Sequence, residues 1–303
     1  MEWDRLSKRY PGSGRPALNA ISFDVQDREI VGLVGLNGAG KTTAIRVASG
    51  VTLPSGGTVR IDGQDIRTQK VRASRTLGWV PELPVSDPDR RALPTLEYYA
   101  GFYGLRGAAA RERGQTLLDT VGLHGMERVK LRKFSQGMFK RFNLAASMVG
   151  DPTNILLDEV LNGIDPQGIL FVRKWVTELR GQGKAILLSS HQLAEVERVA
   201  DRVAFLHQGR VIRIIRRSEL ATLATGETRV RVTIPNLDQT CLIFLGTLGR
   251  VEALGNTVTV IGSKVDPAGL NRELVQRGYN VTALHTEATP LEDYFMTLLG
   301  KAQ

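Results

Sequence analysis

The chain has 303 residues, 42% of them apolar and 23% charged, with 40 basic against 31 acidic residues and a net charge of +9. That length supports one large or two ordinary domains around a buried core. No apolar run approaches the roughly 18 residues that a membrane span needs, and a single cysteine, Cys241, excludes a disulfide framework and any cysteine-rich metal cluster.

The opening residues Met1 to Arg5 lack the basic-then-apolar pattern of a signal peptide, so none is expected. Residues 1–28 and 56–63 alternate apolar and polar positions and carry turn signals such as Asp62-Gly63, which predicts a flanking antiparallel sheet. Between them Glu29–Gly35 reads as a buried strand and Thr43–Gly50 as a helix. They enclose residues 35–42, Gly-Leu-Asn-Gly-Ala-Gly-Lys-Thr, a full phosphate-binding loop in the strand–loop–helix setting it requires. Gly35, Gly38 and Gly40 let the backbone curl its N–H groups inward, and the following helix adds its positive end. Lys41 is expected to reach the β- and γ-phosphates, and Thr42 to offer its hydroxyl to Mg²⁺.

Residues 86–150 are read as mostly helical and amphipathic. Tyr98 with Phe102 and Tyr99 with Tyr103 are helix neighbours, for which core packing is the expectation. Ser135 stands at the N-cap of a helix whose apolar positions are Phe139, Phe142, Ala146 and Val149. Its hydroxyl, with the nearby amide of Gly137, makes a second anion site in one chain. That suggests a head-to-tail pair of chains, each closing over the nucleotide of the other. Ile155–Glu159 is an interior strand ending in two carboxylates. Asp158 suits a Mg²⁺ ligand, and Glu159 a base that orients and deprotonates the attacking water. Ala185–Ser190 is a further buried strand, and His191 just beyond it can reach a γ-phosphate. Residues 202–212 read as a hairpin turning at Gln208-Gly209.

The character changes after Glu219. Strands are expected at Thr228–Ile234, Arg250–Leu254, Thr257–Ile261 and Asn280–Leu284, and helices at Asp238–Leu248, Pro267–Arg277 and Leu291–Leu299. The order β-α-β-β-α-β predicts a small ferredoxin-like α+β domain. Cys241 reads as a buried small hydrophobe there. His124, His207 and His285 have no ligand spacing. Basic patches at Lys70–Arg75, Arg128–Lys133 and Arg213–Arg217 lack the interleaved aromatics of a stacking platform for single strands, and no Asn-Lys-x-Asp guanine motif is present.

As a set, these motifs resemble the nucleotide-binding subunit of ATP-binding cassette (ABC) transporters over about the first 220 residues. Gly35–Thr43 matches the Walker A loop, residues 79–82 the Q-loop region, Phe134–Met138 the signature, Ile155–Glu159 Walker B, Asn162–Asp165 the D-loop and His191 the switch histidine. The resemblance implies a P-loop α/β cassette with a parallel core, a flanking antiparallel sheet and a helical lobe over about 86–150. It implies an ABC-type ATP-binding domain at 1–220 and an accessory domain at 221–303. Nucleotide contacts are implied for Tyr10, Gly35, Asn37, Gly38, Ala39, Gly40, Lys41, Thr42, Thr43, Ser135, Gly137 and Asp165. Catalytic roles fall to Glu159 and His191, and Mg²⁺ ligation to Thr42, Glu82 and Asp158. The implied partners are a separate transmembrane permease and a second copy or paralogous cassette, with the chain peripheral on the cytoplasmic face of the membrane and no nucleic acid expected.

Three positions depart from the family pattern. The signature is Phe-Ser-Gln-Gly-Met, the Q-loop glutamine is Glu82, and the proline after the Walker B glutamate is Val160. Glu82 and the signature form resemble the exporter branch that includes drug, antibiotic, lipid and sodium efflux subunits. The alternative is a soluble ATPase of the same superfamily acting on ribosomes or DNA, although such proteins usually carry two cassettes or a long coiled coil.

Overall fold

The computed structural model describes residues 1–83, 86–219, 228–262, 266–287 and 291–301. Two compact units are present, Met1–Ile214 and Ile215–Gln303. The expected boundary at 220–221 lies outside the described residues.

In the first unit, β1 (Glu2–Lys8), β2 (Leu18–Asp24), β4 (Gly56–Ile61) and β5 (Gln64–Asp65) make an antiparallel sheet in the order β2-β1-β4-β5. Its inward residues include Trp3, Leu6, Leu18, Ile21 and Val59, and Trp3 stacks on Phe23 with ring centroids 4.4 Å apart. The central sheet holds β3 (Ile30–Val34), β6 (Leu77–Val80), β7 (Asn154–Asp158), β8 (Ala185–Ser190), β9 (Arg202–His207) and β10 (Arg210–Arg216), ordered β10-β9-β3-β8-β7-β6. The strands from β9 to β6 pair in parallel. Every residue of β3, β7 and β8 is buried, as in strands covered on both faces, and their polar residues, Asn154, Asp158, Ser189 and Ser190, stand at the strand ends. Their carboxyl ends lie along one edge, where an open parallel sheet places ligands.

Helices α1 (Lys41–Ala48), α2 (Lys70–Arg75), α6 (Pro166–Gly181) and α7 (Leu193–Val199) pack on these sheets. The region expected to be helical holds α3 (Ala92–Gly101), α4 (Gly107–Thr120) and α5 (Gln136–Ser147). A Cβ on Gly114 of α4 would come within 2.6 Å of Leu93 Cδ1, so glycine permits the close approach of α3. One of the two aromatic pairs, Tyr98 with Phe102, departs from the core packing expected of it, whereas Tyr99 is half-buried and the Tyr103 ring packs against Gly150. Tyr98 and Phe102 make an edge-to-face pair at 5.1 Å but are 53% and 72% exposed. The core face of α3 is already filled by Leu93, Leu96 and Ala100, which leaves Tyr98 and Phe102 on the other side.

The second unit contains β11 (Thr228–Thr233), α8 (Gln239–Leu248), β12 (Arg250–Leu254), β13 (Thr257–Gly262), α9 (Pro267–Gln276), β14 (Ala283–Glu287) and α10 (Leu291–Lys301). Its sheet is antiparallel in the order β12-β13-β11-β14. Val230, Val232, Cys241, Leu245, Val258, Val260, Leu270 and Leu274 form the core, and Asp238 and Asp266 cap the two helices. β14 begins at Ala283 rather than at Asn280. The Asn280 amide donates to Asn236 Oδ1 at 2.9 Å, so the chain is tied to a loop before it meets the ladder opposite Thr233.

Candidate nucleotide site

The loop between β3 and α1 owes its shape to two glycines. A Cβ on Gly35 would lie 2.3 Å from the Leu206 carbonyl oxygen, and Gly40 sits at φ +114° with Ala17 O only 2.6 Å from a Cβ position. Neither position admits a side chain, and Gly40 also needs left-handed backbone. α1 starts at Lys41, so its free N–H groups and dipole face the cleft. Lys41 is buried, and Nζ donates to Gly35 O at 2.8 Å and Leu36 O at 3.4 Å.

Asp158 closes β7. Its Oδ1 accepts from Ser189 Oγ at 2.7 Å and from Thr42 Oγ1 at 3.1 Å. Burial pushes its carboxyl above the usual range, and the charges of Glu82 and Glu159 act the same way against the two hydroxyl bonds. Carboxylates and hydroxyls converging here form the all-oxygen donor set that suits Mg²⁺.

Glu159 adopts φ +50°, a left-handed backbone that is uncommon for a residue with a long side chain. Its amide donates to Ser189 O at 3.2 Å and Ser189 Oγ at 3.1 Å. Its carboxylate is held from three sides. Lys41 Nζ lies 3.1 Å from Oε1, while Asn162 Nδ2 and His191 Nδ1 each lie 3.1 Å from Oε2. The unusual backbone is therefore fixed by surrounding partners, as strained positions in functional sites are.

A cleft of about 390 Å³ collects Asn37, Gly38, Ala39, Gly40, Lys41, Thr42, Thr43, Glu82, Glu159 and His191 from the expected set, and adds Ala17 and Asn162. Gly35 and Asp158 stand behind the lining, bonded to Lys41 and Thr42. Tyr10, Ser135, Gly137 and Asp165 are outside it. Lys8 Nζ lies 5.0 Å from the Tyr10 ring centre. Ser135 is exposed and caps α5 by accepting from the Met138 amide at 3.2 Å, and Gly137 lies in the first turn of that helix. Asp165 caps α6, accepting from the Gly168 amide at 2.8 Å.

The sequence reading missed Asn162 and Ser189 as supports of the two carboxylates. Asn162 had a signal, since it opens the segment Asn-Gly-Ile-Asp, but only as part of a loop. Ser189 had none beyond its place beside Ser190 and His191.

The family model described as ABC transporter matches residues 18–162. The chain is 32% identical to the Nod factor export ATP-binding protein I of Ralstonia nicotianae, over 98% of this chain and 92% of that protein. The chain belongs to the ABC transporter ATP-binding subunits. It is also 28% identical to the linearmycin resistance ATP-binding protein LnrL of Bacillus subtilis, over 99% of this chain and 98% of the relative. Its identity to the bacitracin transport ATP-binding protein BcrA of Enterococcus faecalis is 29%, over 99% and 96%. A solved ATP-binding subunit of an ABC transporter superposes with a TM-score of 0.66 at 30% identity, covering 73% of this chain and 91% of that one. A dimeric ATP-binding cassette in a post-hydrolysis state, bound to ADP and Pi, shares the fold with a TM-score of 0.66 at 21% identity, over 71% and 97%. This ABC subunit is an ATPase that powers transport. ABC subunits of its kind work with transmembrane permeases and pair as dimers. Among the described residues no helix is long and apolar enough to cross a membrane.

Proposed function

We propose that this ABC subunit is the motor of an exporter. It sits on the cytoplasmic face of the membrane against a separate permease and pairs head to tail with a second copy or a paralogous cassette. The observation that carries the reading is the convergence of Lys41, Glu159 and His191 at the ends of three neighbouring strands. The names of the relatives, for linearmycin resistance, bacitracin transport and Nod factor export, support efflux as the direction.

In this reading a triphosphate competes with Glu159 for Lys41, and the released carboxylate takes a proton from the attacking water. His191 keeps Nδ1 toward Glu159 and offers its other ring nitrogen to the γ-phosphate. Residues 37–43 cradle the phosphates, with Gly35 shaping the loop. Asp158, Thr42 and Glu82 would hold Mg²⁺, which supplies charge neutralisation on the phosphate oxygens. Tyr10 stacks on adenine. Ser135 and Gly137 of one chain meet the nucleotide of its partner, and Asp165 lies in the segment that meets the partner. Residues 1–220 make the motor, and 221–303 support or regulate pairing.

The exposed Tyr98 and Phe102 of the helical lobe, with the exposed Leu83 beside the Q-loop region, support this side as the face for the permease. Co-expression with the permease should bring the chain into the membrane fraction. High salt should leave it there, because apolar contacts are not screened. Complete release by salt, or retention after Phe102→Asp combined with Tyr98→Asp, refutes this docking face.

A further inference from the structure

Lys140 lies in α5, on the helix that Ser135 caps. It is half-buried, and its ammonium donates to the carbonyl of Val160 at 3.3 Å and to the carbonyl of Asn162. Those carbonyls belong to the turn that leaves Glu159, a turn closed by the bond from the Asn162 amide to Glu159 O at 3.1 Å. The same helix touches this turn a second time. A Cβ on Gly163 would fall 2.5 Å from Gln136 Nε2. On the far side Gln192 Nε2 donates to Asn162 Oδ1 at 3.3 Å, which turns the Asn162 amide so that Nδ2 faces Glu159 Oε2 at 3.1 Å. The chain of contacts therefore runs from α5 through Lys140 to the backbone of Asn162, and through the Asn162 side chain to the carboxylate.

We propose that Lys140 is a positioning residue for ATP hydrolysis, fixing the Val160–Asn162 turn so that Asn162 holds the Glu159 carboxylate in place. The proposal rests on the reading of Glu159 as the base. Lys140 does not line the nucleotide cleft, and although its ammonium lies in the field of Glu82 and Glu159, the bonds described for it are to the carbonyls of the turn. An ammonium suits the task because it offers three donors to carbonyls that approach from different directions. Because Ser135 begins the same helix, a movement of α5 reaches Glu159 through Lys140 and through the contact of Gln136 with Gly163.

The test is steady-state ATPase activity and nucleotide affinity of the purified full-length chain. Lys140→Met keeps most of the stem and removes the donors. It should lower kcat about tenfold or more, since small misplacements of a reacting group cost that much, while KM and ATP affinity stay within about twofold. Lys140→Arg should restore most of the rate. Added to Glu159→Gln, Lys140→Met should cause no further loss, because its effect passes through the missing carboxylate. A kcat within about twofold of wild type, a joint loss of rate and affinity, no rescue by arginine, or an additive loss in the double variant each overturn the proposal. Lys140→Gln is measured alongside. If neither it nor Lys140→Met folds while Lys140→Arg does, the ammonium is a fold element and the proposal fails. Wild-type turnover in Glu159→Gln refutes the base assignment itself, a separate failure.

Discussion

Lys41 Nζ stands 3.1 Å from Glu159 Oε1, and the two side chains are only 5% and 6% exposed. The residue that should bind phosphate and the residue that should activate water are thus one buried ion pair. Removing one member of such a pair leaves an uncompensated buried charge, at a cost of about 3–5 kcal/mol. His191 and Asn162 offset part of that cost here.

Lys41→Ala should therefore lose tight ATP binding and also melt at a lower temperature. Adding Glu159→Gln to it should recover part of the melting temperature without recovering ATP binding, because the orphaned charge is gone. A double variant no more stable than Lys41→Ala, measured by differential scanning calorimetry, would show that the ion pair is not the cause.

Glu159→Gln keeps the shape of the side chain and removes its basicity. Turnover should fall about a hundredfold or more, while ATP stays bound through Lys41, Thr42 and Asp158. The variant should dimerise with Mg²⁺·ATP and stay monomeric with ADP, since only the γ-phosphate bridges both chains. Ser135→Arg in the same chain should abolish that dimer. Size-exclusion chromatography with light scattering reads the outcome, and equal mass in ATP and ADP with ATP confirmed bound is evidence against the head-to-tail arrangement.

Asp151 accepts from Lys184 Nζ at 2.7 Å, and this bond holds its carboxyl below the usual carboxylate range. A depressed carboxylate contributes stability that is complete above its unfolded pKa of about 3.9 and is lost as pH falls through the lower folded value. Asp151 is 74% exposed, so its share is under about 1 kcal/mol. Asp151→Asn is a clean probe, because asparagine tolerates the φ of +49° at this position. Its urea midpoint should lie slightly below wild type at pH 7, and the gap should close as pH drops below about 4. A gap that widens on acidification contradicts the assignment.

Truncation after Leu220 should leave a chain that folds and still binds ATP, because every expected phosphate contact precedes that point. Dimer stability or coupling to transport should change instead. A truncated chain with native circular dichroism but no nucleotide binding would place the domain boundary elsewhere.

The phosphate loop, Asp158, Glu159 and His191 were legible because each follows an apolar run of strand length, the pattern of a buried parallel strand. The Ser135 cap was legible because the capping hydroxyl and the amide it accepts from lie within one turn. The outward turn of Tyr98 and Phe102 was not. A helical period shows which residues share a face, but not which of two apolar faces the core takes. The late start of β14 was hidden likewise, because the bond from Asn280 to Asn236 joins segments that are distant in sequence.

The phosphate loop, the two carboxylates and the strands that carry them follow from local spacing and from the period of apolar residues, so they could be read along the chain. How they meet depends on the order of the strands in the sheet. Along the chain β8 comes after β7 and both come after β3, but the sheet orders them β3-β8-β7. Only that order sets Ser189 beside Asp158 and Glu159, and brings His191, Asn162 and Lys41 onto one carboxylate. Hydrogen bonds across strand ends follow from which strands are neighbours, and burial of apolar surface on both faces of the whole sheet selects the neighbours, not any local run of residues.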